Sequence, residues 1–285
     1  MIEKIATYIK KWVDWYKSDS CFLKDFVEAL KITNSNIILT TPLILFIILT
    51  AFYHVFSSSG FGVVFSILMF CAMPAVFFSG WFYTVKLAVC EEYDKTDTFV
   101  LLKQFPTGVG RHFIDILLMC ILFFIMLAFV IIFTYKSAYI LIGGVGISRE
   151  SLFTALSSPV AMQDLLTSLT PEQQMKFNYW NLYFIFTTTF YSFLVMFWAP
   201  EIIFKQESVL NAFIGSVVKL FRKFFQSLTI FSFIMFIYLI ISLLSIFVYS
   251  MQFLSFLVNV LYFYFLVYAA VLIFLFYKRE FYENE

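Results

Sequence analysis

The chain has 285 residues, of which 62% are hydrophobic and 13% charged, and its formal net charge is +1. A soluble domain carries about 25% charged residues, so this composition excludes an ordinary soluble fold. The apolar residues lie in blocks of roughly 20, long enough to cross a bilayer as helices. The near-neutral charge identifies no partner by itself, and we expect membrane lipids and no nucleic acid.

The first 34 residues are predicted to form cytoplasmic amphipathic helices that precede the membrane domain, residues 35–285. Over residues 1–17 apolar side chains at helical spacing share one face and lysines lie on the others. This pattern fits a helix lying in the headgroup region, or one packed on the protein's own spans. A second helix is predicted over residues 21–33. No uninterrupted apolar core of a cleavable signal is present in this segment.

Six membrane spans are predicted from the apolar blocks. They cover roughly residues 37–56, 61–85, 113–135, 179–199, 225–249 and 253–277. Pro106 and Gly108 are expected to end a short amphipathic helix before the third span, and Ala199-Pro200-Glu201 is expected to end the fourth. The segment 136–178 is predicted to be a loop with short helices at 149–157 and 160–168. Thr170 and Gln173 have the spacing of a capping box for the next helix.

The distribution of Lys and Arg predicts the orientation. Of the 19 such residues, all but Lys136, Arg149 and Lys176 fall on one side of the predicted spans. Positive residues accumulate on the cytoplasmic side of membrane proteins. The sequence therefore predicts cytoplasmic termini and an outer loop at 136–178, in an integral plasma (inner) membrane protein.

A second basic amphipathic helix is predicted after Pro200, over residues 207–224. Leu210, Phe213, Val217, Leu220, Phe221 and Phe224 are expected on its apolar side, opposite Lys219, Arg222 and Lys223. Each Lys or Arg near an anionic leaflet contributes roughly 1 kcal/mol to membrane binding. We therefore expect headgroup contacts, preferentially with anionic lipids, from six residues: Lys4, Lys10, Lys11, Lys219, Arg222 and Lys223.

The amphipathic helices recur before each pair of spans, at residues 21–33, 94–105 and 207–224. Phe26, Phe99 and Leu210 occupy comparable positions in these three segments. Membrane folds often contain repeated units, and these would be parallel repeats because each begins on the cytoplasmic side. The predicted fold is an all-α integral membrane protein with six spans in three pseudo-repeated hairpins, each preceded by a cytoplasmic amphipathic helix.

The segment around Trp198-Ala-Pro200 shares several features with one bacterial group. These features are the proline, an acidic residue at Glu207, the Ala212-x-x-x-Ser216 helix, and the basic Arg222-Lys223 before the next span. Residues 190–250 thereby resemble the membrane domain attached to some bacterial glycerophosphodiester phosphodiesterases, and related stand-alone six-span proteins. The resemblance implies a bacterial inner-membrane location and an accessory role. It supplies no catalytic residues, because the phosphodiesterase domain is missing.

Motifs of catalysis or metal binding are not found in the sequence. The middles of the predicted spans contain no Asp, Glu, Lys, Arg or His, whereas intramembrane charge usually marks function. Cys21, Cys71, Cys90 and Cys120 have no metal-ligand spacing. We expect no enzyme activity, no catalytic residue, no metal and no cofactor. The alternative of a lipid-modifying enzyme would need interface residues such as Glu91, Asp94 and Arg111.

Hydroxyl groups inside the spans have two interpretations. Thr187, Thr188, Thr189 and Ser192 could join helices by hydrogen bonds, as is common in membranes, or line a polar pathway. The favoured function is a scaffold or accessory subunit with anionic-lipid contacts and a membrane protein partner. The alternative is a carrier or channel for an apolar or lipid-like substrate.

Overall fold

The computed structural model describes residues 22–57, 63–93, 99–147, 149–156, 158–248 and 251–283. These residues form helices, turns and short connections, and none of them forms a strand. The prediction of an all-α protein is confirmed for this part of the chain. The helix predicted over residues 1–17, with Lys4, Lys10 and Lys11, lies outside the described residues.

Twelve α-helices are present in the described residues and are numbered here in chain order. They are α1 (Phe22–Ser35), α2 (Thr40–Ser57), α3 (Val63–Cys90), α4 (Val100–Lys103), α5 (Phe105–Leu141), α6 (Arg149–Leu156), α7 (Pro159–Ser168), α8 (Pro171–Leu194), α9 (Trp198–Lys205), α10 (Val209–Arg222), α11 (Phe224–Val248) and α12 (Gln252–Tyr277). A 3-10 turn, Ile37–Leu39, joins α1 to α2, and a π-helical turn, Lys278–Tyr282, follows α12.

Within the residues that the structure describes, five helical segments are long and apolar enough to cross a membrane: Ala72–Cys90, Phe105–Leu141, Pro171–Lys205, Phe224–Val248 and Gln252–Tyr282. A sixth is counted if Lys24–Ser35 and Ile37–Thr50, which meet at an angle of 81°, form one broken span. The described chain thus has the helices of an integral membrane protein. The arrangement in three repeated hairpins stays a prediction. Of its second amphipathic helix, predicted over 94–105, the structure describes residues 99–105, where α4 covers Val100–Lys103 and Phe105 begins α5.

The short helix predicted before Pro106 does end before it, at Lys103, but no linker follows, and the predicted stop at Pro200 is wrong. Helix α5 begins at Phe105 and runs through Pro106 and Gly108 to Leu141, and α9 begins at Trp198 and includes Pro200. Proline in a first turn costs little, because its missing N–H would have no intrahelical partner there. The fourth span is interrupted earlier, at residues 195–197.

The predicted helix starts in the 136–178 segment are confirmed. Helices α6 and α7 lie where the sequence predicts them, and the Ser158 side chain caps α7 by accepting from Ala161 N–H. The capping box also forms: Gln173 N–H donates to Thr170 Oγ1, and Thr170 N–H donates to Gln173 Oε1. These are local signals, read within four residues of sequence.

The chain folds into two compact units, one formed by Met1–Ile121 with Leu194–Glu285 and the other by Leu122–Phe193. The boundary predicted after residue 34 stays a prediction. In the second unit Thr134 Oγ1 donates to Thr187 Oγ1 over 3.1 Å, and Tyr191 OH donates to the Phe123 carbonyl oxygen over 2.9 Å. Thr187 therefore joins two helices, as one of the two interpretations expects.

The core of the first unit surrounds the second half of α12. Buried residues in this half include Val267, Val271, Leu272, Phe274, Leu275, Phe276 and Tyr277. Phe197 stacks on Phe276, with ring centroids 5.7 Å apart. Trp81 of α3 donates its indole N–H to the Leu39 carbonyl oxygen over 3.0 Å. The end of α12 thus lies in the interior of the first unit.

Candidate functional site

A buried ionic cluster joins three helices of the first unit. Glu201 of α9 is 1% exposed and Lys219 of α10 is 7% exposed. Lys219 Nζ donates to Glu201 Oε1 over 2.8 Å, to Glu201 Oε2 over 2.7 Å and to Tyr277 OH over 2.8 Å. Tyr277 of α12 in turn donates to Glu201 Oε2 over 2.5 Å. We call Glu201, Lys219 and Tyr277 the triad.

The turn between α9 and α10 allows Glu201 and Lys219 to meet. Helix α9 ends at Lys205, and the next residue, Gln206, adopts the left-handed conformation with φ of 55°. This conformation reverses the chain after a helix. Trp198 then donates its indole N–H to the Val209 carbonyl oxygen over 2.9 Å, so the start of α9 is tied to the start of α10.

Small residues bring α10 close to the Glu201 carboxylate. The buried face of α10 contains Ala212 and Ser216 one turn apart, followed by Lys219. At Gly215 a β-carbon would lie 3.1 Å from Glu201 Oε1, tighter than an ordinary contact. The absent side chain at Gly215 therefore leaves the room that the carboxylate occupies.

The electrostatics of the triad are those of a paired charge removed from water. Burial lowers the pKa of the Lys219 ammonium from its ordinary value, and the Glu201 carboxylate acts in the opposite direction. Lys205 Nζ lies 3.9 Å from Glu201 Oε1 and adds a second positive charge. A buried charge is tolerated when its pairing and hydrogen bonds offset desolvation. Both carboxylate oxygens of Glu201 are engaged in this way.

Two further sets of ion pairs tie neighbouring helices to the end of α12. Lys223 Nζ lies 2.8 Å from Glu280 Oε2. Arg279 pairs with both Asp25 and Glu28 of α1. The ends of α1, α10 and α12 are therefore connected by side chains that are distant in sequence.

The orientation of α10 differs from the prediction. The sequence places Lys219 on an outer basic face, whereas the structure buries it beside Leu220. Leu210, Ile214, Val218 and Phe221 form the outer ridge of α10, and each is between 55% and 61% exposed. The physical reason is the partner: Glu201 and Tyr277 supply an ionic site inside the unit that periodicity does not reveal.

The other predicted headgroup residues lie in different surroundings. Arg222 is exposed at the end of α10, and Lys223 is half-buried in its pair with Glu280. The lipid contacts of all six predicted residues stay predictions. Lys219 differs from Arg222 because its ammonium donates hydrogen bonds to Glu201 and Tyr277 inside the protein.

Arg111 and Glu91, two of the residues considered for a lipid-modifying enzyme, have different surroundings. Arg111 donates to Tyr83 OH over 3.2 Å, and no carboxylate of the described chain lies within 4.0 Å of it. Asp94 lies outside the described residues. Glu91 lines a different part of the first unit, next to α1.

Sequence reasoning missed Glu201 and Tyr277 as site residues. One signal was present for Glu201: it is an acid directly followed by Ile202, Ile203 and Phe204, all of which are buried. Tyr277 had no such signal, because tyrosine is common at the ends of spans.

Comparison of the chain with protein-family models, with curated proteins and with solved structures finds no match.

Each polar atom of the triad faces another protein group. Such an arrangement can hold three helix ends in fixed register, and it gives α10 a defined inward face. The outward face of α10 is left to contact the surroundings of the protein.

Proposed function

We propose that the protein is a non-catalytic scaffold or accessory subunit of the bacterial inner membrane that contacts anionic lipid at its cytoplasmic face. The six predicted spans in three hairpins, with cytoplasmic termini, belong to this proposal. The observation that carries it is the outer ridge of α10, defined by Leu210, Ile214, Val218 and Phe221.

The ridge requires an apolar environment. Exposure of apolar surface to water costs about 25 cal/mol of free energy for each Å². A helix packed on a soluble domain would turn these residues inward and Lys219 outward. Helix α10 does the reverse, which suits a helix lying in the bilayer interface with its charge paired inside the protein.

Arg222 provides the contact with lipid headgroups in this proposal. It is exposed at the end of α10, one residue after Phe221 of the ridge. A long basic side chain can keep its stem in the apolar region while its head reaches the phosphates. Arg222 is therefore expected to favour anionic lipids over neutral ones.

The scaffold role rests on the way α10 is held. The triad fixes this helix to α9 and α12, and the pair of Lys223 with Glu280 fixes its end. A rigid, membrane-immersed helix presents a constant apolar surface, which a membrane protein partner can recognise. The sequence resemblance to stand-alone bacterial six-span proteins agrees with an accessory role.

Spin labels on single-cysteine variants in lipid nanodiscs test the position of α10. Labels at Leu210, Ile214 and Val218 should be accessible to oxygen and protected from a water-soluble nickel chelate. A label at Asn211, exposed but off the ridge, should be more accessible to the chelate. Equal chelate accessibility at all four positions would contradict the proposal.

Lipid selectivity is tested by native mass spectrometry of the full chain with mixed phosphatidylglycerol and phosphatidylcholine. The Arg222→Gln variant should retain less phosphatidylglycerol than the original protein. Lys176→Gln, which removes a partly exposed charge in the other unit, serves as the matched control. Equal retention in both variants would remove the lipid contact from the proposal.

A second candidate function, a carrier for an apolar or lipid-like substrate, is favoured by a groove in the first unit. The groove has a volume of about 620 Å³ and is lined almost entirely by apolar side chains, including Leu45, Phe46, Met73, Val76 and Phe105. Filling it with Val76→Trp should abolish lipid transfer in proteoliposomes if transport occurs. Leu118→Trp, at another exposed apolar position, is the control.

A further inference from the structure

A polar cavity lies beside α1, away from the triad and from the ridge of α10. Its volume is about 670 Å³, within the range of small-molecule sites. The polar side chains on its wall include Lys24, Glu28, Lys31, Asn36, Glu91 and Arg279. All belong to the first unit, and they come from α1 and from the ends of α3 and α12.

Two lysines give this cavity a positive side. Lys24 and Lys31 are two turns apart on α1, so both lie along the same wall. Within the described part of the chain neither has a carboxylate within 4.0 Å. The acid between them, Glu28, is paired with Arg279.

The opposite chemistry is provided by Glu91, which has an unusual backbone conformation. Its φ is 55°, in the left-handed region that favours glycine. Glu91 N–H donates to the Ala88 carbonyl oxygen and Glu92 N–H to the Leu87 carbonyl oxygen, the pattern that ends a helix with glycine. A side chain there is disfavoured because its β-carbon crowds the following carbonyl oxygen. Retaining a glutamate at such a position, on a cavity wall, points to a use for its carboxylate.

The remaining wall is ordered and partly apolar. Tyr93 OH donates to Asn36 Oδ1 over 2.7 Å, and the Asn36 amide donates to the Ile32 carbonyl oxygen over 2.9 Å. Val27 and Ile32 add apolar surface. The cavity therefore combines a cationic wall, a carboxylate and an apolar strip.

We infer that this cavity binds a zwitterionic aminophosphate group, with the phosphate at Lys24 and Lys31 and the ammonium at Glu91. Charge-assisted hydrogen bonds from two ammonium groups suit a phosphate, and a carboxylate suits a primary amine. This site goes beyond the proposed function, because none of its residues belongs to α10. The same chemistry occurs in an aminophospholipid headgroup and in a free aminophosphate.

Calorimetric titration of the purified full chain in neutral detergent with phosphoethanolamine tests the inference. The Lys24→Gln, Lys31→Gln double variant should weaken binding at least tenfold. The matched control is Lys103→Gln, an exposed lysine on α4 that does not line the cavity. Equal affinity in the double variant and the control would overturn the assignment of the phosphate, as would a failure of both phosphoethanolamine and phosphatidylethanolamine to bind the unmodified chain.

Glu91→Gly provides a second variant that is expected to fold, because glycine favours the conformation at this position. It should lose the preference for phosphoethanolamine over inorganic phosphate while binding phosphate as before. An unchanged preference would overturn the role of Glu91.

A parallel titration with phosphatidylethanolamine in nanodiscs distinguishes the two sources of the group. Binding of the soluble compound and the lipid alike assigns the site to the headgroup itself. Lipid binding alone, lost in the double lysine variant, assigns it to an aminophospholipid. Lys103→Gln should leave both titrations unchanged, and the lipid contact of Arg222 is measured separately by native mass spectrometry, so that failure of this site and failure of the α10 lipid contact are separate results.

Discussion

Lys219 and Glu201 form an ion pair that is almost completely removed from water, with Nζ 2.7 Å from Oε2. Eighteen residues separate them in sequence, and Tyr277, which contacts both, is a further 58 residues along the chain. The pair therefore couples α9, α10 and α12, and its charges can be tested one at a time.

Glu201→Gln should strongly destabilise the protein, because it leaves the Lys219 ammonium buried without its opposite charge. Removing one partner of a buried ion pair typically costs about 3–5 kcal/mol. Thermal unfolding in detergent, followed by intrinsic fluorescence, measures the loss. The matched control is Glu172→Gln, which breaks an exposed pair with Lys176 and should leave the melting temperature unchanged. Similar melting temperatures for both variants would contradict the stabilising role of the buried pair.

The double variant Glu201→Leu, Lys219→Met should recover most of the stability lost in either single variant. It removes both charges and keeps apolar side chains in the space, and such replacements of buried pairs are often neutral or stabilising. The double-mutant cycle compares the four melting temperatures. Additive losses would mean that Glu201 and Lys219 act independently, contrary to the geometry.

Gly215→Ala should lower the melting temperature, since the new methyl group would lie 3.1 Å from Glu201 Oε1 and push α10 away from α9. Gly110→Ala is the matched control: a β-carbon at Gly110 meets nothing within 4 Å, and the position is inside helix α5. Alanine there should stabilise by roughly 0.5–1 kcal/mol because glycine is a poor helix former. The measured quantity is the change in melting temperature, which we expect to be negative for Gly215→Ala and positive for Gly110→Ala. A destabilised Gly110→Ala together with a neutral Gly215→Ala would refute the packing argument.

Thr187→Val should destabilise the second unit slightly, by about 0.6 kcal/mol, which is the average for a hydrogen bond between membrane helices. Thr187 Oγ1 accepts from Thr134 Oγ1 across two helices, whereas Thr188 Oγ1 donates to the Phe184 carbonyl oxygen of its own helix. Thr188→Val is therefore the control and should have the smaller effect. Unfolding of both variants by a denaturing detergent provides the comparison. A larger effect at Thr188 would contradict the stabilising role of the hydrogen bond between Thr134 and Thr187.

The sequence by itself determined that the chain is helical and that its long helices are apolar enough for a membrane. Long apolar runs such as the one in α11 predict membrane-crossing helices wherever the rest of the chain lies, because backbone groups in hydrocarbon must be paired within the segment. The capping box at Thr170 was equally readable, since its partner is Gln173 in the same turn. The predicted stop at Pro200 is wrong, and Pro106 lies in the next helix instead of a linker, because a proline in the first turn begins a helix as readily as it ends one.

Only the tertiary structure decided which way α10 faces and what Lys219 contacts. Helical periodicity defines two faces of a helix, but it does not say whether the apolar face meets protein or lipid, because both are apolar. That choice was made by Glu201 and Tyr277, which lie far from Lys219 in sequence and offer a paired site for its charge. The cavity beside α1 depends on tertiary structure for the same reason: Glu91 and Arg279 reach Lys24 and Lys31 only through folding.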